Sequence, residues 1–131
     1  MSNFRIRFSN PSGVHTPGAR YRHAALTEGA TQRLIVSGQI GVAPDGTLVE
    51  EPAAQIRQAA DNLAAVLAAH DMAPWQVAKI TVLLTDRAHL PLWRAERDRL
   101  FGEHLPCSTL MFVAGLADPR LVLEVEAEAL A

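Results

Sequence analysis

Between Pro52 and about His70 the apolar residues Ile56, Ala59, Leu63, Val66 and Leu67 recur at the spacing of one face of an α-helix. A helix with a single apolar stripe must bury it against another element, so the rest of the chain has to supply a surface that receives it. Pro52 suits the first turn, where its missing N–H costs nothing.

The flanking segments read as strands. Phe4, Ile6 and Phe8 alternate with Arg5, Arg7 and Ser9, as a strand with one buried face requires. Asn10 to Gly18, with two prolines and two glycines, is a loop. Strands follow at about Tyr21 to Leu26 and Gln32 to Ile40, parted by Glu28-Gly29, and Pro44-Asp45-Gly46 is a turn in which proline presets φ and glycine accepts a positive one. Val77 to Leu84, rich in β-branched and aliphatic residues, reads as a central strand. A second helix is expected after Asp86, with Pro91 in its first turn, running through Trp93, Leu100 and Phe101. Strands at about Ser108 to Val113 and Leu121 to Leu130 close the chain. This order predicts one α+β domain over residues 1–131, a mixed sheet with two helices packed on one face.

A chain of 131 residues buries a real core as one domain, without disulfides or metals. Twelve basic residues against fourteen acidic ones leave a net charge of -2, which gives no broad attraction for a phosphate backbone, and no nucleic-acid partner is expected. The lone Cys107 cannot form an internal disulfide, which fits a reducing compartment. Asn3, Arg5 and Arg7 interrupt any apolar signal region, and no apolar run approaches the roughly 20 residues needed to span a bilayer, so a soluble, cytoplasmic protein with no membrane partner is expected. His15, His23, His70, His89 and His104 show no metal-ligand spacing, and no metal site is predicted. An apolar fraction of 49% leaves room for a buried interface.

Several short segments carry a resemblance in register: Asn10-Pro11-Ser12-Gly13, Tyr21-Arg22-His23-Ala24, Leu34-Ile35-Val36-Ser37-Gly38-Gln39-Ile40, Gln55 with Asn62, Thr81 to Asp86, Pro106-Cys107-Ser108-Thr109 leading into Val113-Ala114-Gly115-Leu116, and Leu123-Glu124-Val125-Glu126-Ala127. Together they are similar to the Rid/YjgF family of imine and enamine deaminases. The resemblance implies a chorismate-mutase-like fold, a homotrimer with ligand clefts between subunits, a small-molecule metabolite as partner and no cofactor. It implies Glu124 as the catalytic residue that positions or activates water, and Tyr21, Ser37, Gly38, Cys107 and Ser108 as ligand-side residues.

The chain departs from that pattern at the element that usually reads Pro-Ala-Arg-Ser/Thr, where the arginine position is Ser108. A guanidinium grips a carboxylate through two parallel hydrogen bonds, which a serine hydroxyl cannot reproduce. Arg94 and Arg97, a turn apart, stand where members often carry asparagine and tyrosine. Their simplest reading is a solvated face with local ion pairs; the alternative is that Arg94 supplies the missing guanidinium to the cleft. Phe112 would then make the rim more apolar.

From the residues alone, Tyr21 is a packing aromatic, Ser37-Gly38 a β-bulge and Glu124 a polar residue on a half-exposed strand. Cys107 lies on the opposite face from position 108 by alternation and reads as an inert, buried thiol. The expected function is an inter-subunit pocket for a small metabolite, with hydrolysis or tautomerisation of an imine- or enamine-type acid but poor turnover of standard 2-imino acids. The alternative is a non-catalytic binding trimer. Ribonuclease activity, also attached to the family, has little basis in this charge and aromatic content.

Overall fold

Parallel neighbours in a sheet need a crossover that returns the chain to the same end, and a helix is the usual solution. The computed structural model describes residues 4–131, so Asn3 of the polar N-terminal stretch lies outside the described residues. Strands β1 (Arg5–Ser9) and β2 (Ala24–Glu28) form an antiparallel ribbon. Strands β3 (Arg33–Gln39), β4 (Val77–Leu84), β5 (Cys107–Phe112) and β6 (Leu123–Leu130) form a mixed sheet in the order β3-β6-β4-β5. Helix α1 (Pro52–Ala69) links β3 to β4, and α2 (Leu90–Phe101) links β4 to β5, its parallel neighbour. Strand β6 runs antiparallel to both β3 and β4.

Local chemistry sets the boundaries. The Glu51 carboxylate caps α1 by accepting the Ala53 and Ala54 N–H groups at 3.0 and 2.7 Å, which holds that carboxyl below its ordinary pKa. The second helix follows Asp86 as expected, with Pro91 in its first turn, after the Asp86 carboxylate accepts the Ala88 N–H at 2.8 Å and caps a short 3-10 turn, Arg87–His89. Gly102, at φ 56°, ends α2. The turn at Pro44-Asp45-Gly46 forms with Gly46 at φ 91°.

Alternation divides the sheet into two faces. Val36, Ile80, Val82, Leu84, Leu123, Val125, Ala127 and Ala129 point to the helices and meet Ile56, Ala59, Leu63 and Leu67 of α1 and Trp93 and Phe101 of α2 in one buried core. Each such side chain contributes about 1.5–3 kcal/mol by leaving water. The other face carries Ile35 (67% exposed) and Met111 (46% exposed) among charged residues, with no helix over it. No helix among the described residues is long and apolar enough to cross a membrane.

The early strand starts at Ala24 rather than Tyr21. Tyr21 instead turns back, its N–H donating to the Ala19 carbonyl at 3.1 Å, and Arg22 makes a single parallel bridge to Cys107. That bridge joins the β1-β2 ribbon to the β5 edge of the sheet.

Candidate functional site

The sequence-derived candidates fall into two groups. Tyr21, Arg94, Arg97 and Ser108 line one cavity of about 310 Å³, together with Ala19, Arg20, Leu90, Trp93 and Leu110. This volume is at the small end of the range for ligand pockets, roughly 300–1,000 Å³. Its floor is β5, where Ser108 and Leu110 alternate toward α2, and one wall is α2 itself. Trp93, 2% exposed, anchors that wall in the core and fixes the helix beside the cavity.

Two of the cavity's three arginines are tied down. Arg97 donates to the Asp98 carboxylate at 3.0 Å, and its side chain is only 15% exposed. Arg20 donates to the Gly102 carbonyl at 2.8 Å and lies 3.5 Å from the same Asp98 carboxylate. Arg94 makes no hydrogen bond or ion pair among the described residues. Both Arg94 and Arg97 reach the cavity that Ser108 lines, so guanidinium groups are present there although none comes from β5.

Ser37, Gly38 and Glu124 form the second group, on the uncovered face. Val36 pairs with Ala127 and Gln39 with Val125, so Ser37 and Gly38 together stand opposite Glu126 alone. This is a β-bulge, which bends a strand locally and re-aims its side chains. The Glu124 side chain lies over the bulge: a methyl group on Gly38 would come within 2.6 Å of Glu124 Cδ and 2.7 Å of Cγ. Glycine is therefore what lets the carboxylate rest against the backbone. Leu123 and Val125, fully buried on the helix side, turn Glu124 to the opposite face from the arginine-lined cavity. Within one chain the two groups do not share a site.

Helix α1 holds the ends of the strands that carry the second group. The Gln55 side chain, completely buried, donates to the Val49 and Arg120 carbonyls, both at 2.9 Å, and accepts the Val122 N–H at 2.6 Å. Asn62 donates to the Ile40 and Val42 carbonyls at 2.9 and 2.8 Å. One helix thus anchors the segment leaving β3 and the segment entering β6, which fixes the bulge relative to Glu124.

Cys107 is half-buried on the face opposite Ser108, and burial pushes its thiol above the ordinary pKa while nearby Lys79 pulls the other way. Phe112 is not among the residues lining the cavity; the Arg87 guanidinium stacks 4.3 Å from its ring centroid. Sequence reasoning missed Arg20, Leu90, Trp93 and Leu110 as lining residues. Arg20 sits in an irregular loop with no periodicity to aim it, and its only signal was adjacency to Tyr21. Among the described residues no three His, Cys, Asp or Glu side chains gather as ligands for a metal ion.

The sequence model of the family described as Endoribonuclease L-PSP matches residues 14–131. No curated protein matches the chain. Among solved structures, the chain is similar to YyfB of the conserved Rid protein family from Yersinia pestis, at 26% identity over 96% of this chain and 98% of that one, with a TM-score of 0.85. It is similar to the YjgF gene product of E. coli at 32% identity over 75% of this chain and 80% of that one, TM-score 0.69. RidA from the Antarctic bacterium Psychrobacter, at 22% identity over 95% and 99% with a TM-score of 0.72, shares the fold.

Proposed function

Because the chain belongs to the Endoribonuclease L-PSP family, which includes the Rid/YjgF proteins, we propose that it binds a small acidic metabolite in a pocket completed between subunits of a homotrimer and acts on it as an imine- or enamine-type hydrolase. The observation that carries this reading is the division of the candidate residues. Tyr21, Arg94, Arg97 and Ser108 line a cavity on the helix side, while Ser37, Gly38 and Glu124 lie on an uncovered face with exposed Ile35 and Met111. A neighbouring chain that covers this face removes apolar surface from water and brings one chain's Glu124 to another's arginines. The protein works in the cytoplasm and requires no cofactor.

The chemistry assigned to the pocket is hydrolysis. Glu124 accepts a proton from water as the oxygen bonds to the imine carbon and passes it to the imine nitrogen, and the carbinolamine then loses its hydroxyl proton to nitrogen as the C–N bond breaks, giving a carbonyl and ammonia. Arg94 orients the substrate carboxylate from α2, which replaces the fork that position 108 lacks. Because that approach differs from the β5 arginine of the family pattern, simple 2-imino acids are poor substrates. The same observation supports a second reading, a binding trimer without turnover, since no guanidinium projects from β5.

A thermal-shift screen of small acids and neutral metabolites, followed by an imine assay in which an amino-acid oxidase generates the substrate, separates the two. Binding to the native state alone stabilises it by RT ln(1 + [L]/Kd). For an enzyme, Glu124→Gln should lower turnover by a factor of about 10²–10⁴ with little loss of affinity. Ligand binding without turnover in wild type would establish the second reading, and turnover equal to wild type in Glu124→Gln would remove Glu124 from the mechanism.

A further inference from the structure

The cavity beside α2 is lined by three guanidinium groups, those of Arg20, Arg94 and Arg97, and by no carboxylate. The acids of α2 are already engaged. Asp98 lies between Arg20 and Arg97, and Glu96 accepts from Arg99 at 2.6 Å, which also holds Asp61. Asp98 lines the small neighbouring crevice rather than the cavity itself. Within one chain, three positive charges set against the single Asp98 leave two uncompensated, and Arg94 has no partner among the described residues. Arg20 and Arg94 are exposed, so water screens their charges, but like charges gathered along one concave wall still give it a positive potential that favours an anion.

We propose that the cavity selects a small organic dianion, with one anionic group bound by Arg94 and the second lying against Arg97 and Arg20. The inference rests on the reading of this cavity as the small-molecule site and names its ligand class. Arg94 and Arg97 are three residues apart on a helix, which puts their Cβ atoms about 5–6 Å apart on neighbouring positions of one face. Two anionic groups joined by a short carbon chain match that separation. Tyr21, Leu90, Trp93 and Leu110 supply the apolar wall along which such a chain lies. Among the groups of one chain, a monoanion leaves one of the two charges unanswered, and a neutral ligand leaves both.

Calorimetric titration of the full-length protein with glutarate and pentanoate tests this, because the two share a five-carbon chain and differ in one carboxylate. Propyl phosphate, largely dianionic at pH 8, carries its double charge on one group and so tests whether two separated anionic groups are required. Glutarate should bind about ten- to a hundredfold more tightly than pentanoate at low salt, as expected for one added charge-assisted contact. The difference should shrink at high salt and collapse in both Arg94→Gln and Arg97→Gln. Weaker binding of propyl phosphate than of glutarate would support two separated anionic groups, and tighter binding would overturn them in favour of one doubly charged group. Equal affinity for glutarate and pentanoate would overturn the inference while leaving an acid-binding site in place. A preference that persists in both variants would overturn the assignment to these arginines. Failure of all three probes would overturn the dianion outright, and the thermal screen then decides separately whether the cavity takes a neutral ligand.

Discussion

Gly38 lies directly beneath the Glu124 side chain, so close that a Cβ at position 38 would meet the carboxylate and come within 2.6 Å of Cδ. The obstacle is the Glu124 side chain from Cγ outward, not a backbone atom, so Glu124 rather than the strand should give way. Gly38→Ala is expected to fold, with a melting temperature within a few degrees of wild type, but to displace the carboxylate and remove any Glu124-dependent turnover. Full turnover with an unshifted melting temperature would show that Glu124 need not rest on the bulge.

Gln55 carries a structural load of a different kind. Its amide serves the Val49 and Arg120 carbonyls and the Val122 N–H from a completely buried position, and Gln55→Leu would strand all three. Each group left without a partner costs about 1–3 kcal/mol where water cannot reach it, and because Arg120 is exposed the two remaining groups should cost about 2–6 kcal/mol together. Urea unfolding should show this as a lower midpoint with an unchanged slope. A loss under 1 kcal/mol would mean that water replaces the amide.

Cys107 should be a slow nucleophile. Burial raises its pKa, so at pH 8 less of it is thiolate than in an exposed cysteine, and the thiolate is the reactive form. Alkylation by iodoacetamide at pH 8 should be slower than for N-acetylcysteine and should accelerate in guanidinium chloride. A rate above that of the free thiol would reveal an activating environment at β5 and reopen covalent chemistry.

Much of this architecture is legible in the sequence for physical reasons. The period of Ile56, Ala59, Leu63 and Leu67 commits α1, and the β-branched run commits β4. Alternation also puts Cys107 and Ser108 on opposite sides of β5. What alternation cannot supply is which side of one strand matches which side of another, since that depends on the crossovers and on sheet order. Ser108 and Glu124 belong to the same list of motif residues, yet Ser108 faces α2 and Glu124 faces away from it. Arg20 was invisible for a related reason: a loop has no period, and only the turn at Tyr21 brings its guanidinium to Asp98.

The central claim is that the two groups of residues, separated by the sheet within one chain, are joined between chains. Light scattering on the wild-type protein at micromolar concentration tests it most directly, because without assembly there is no shared site. The expected mass is three times the 14.2 kDa of one chain. A 14.2 kDa monomer that still binds or converts its ligand would contradict the account.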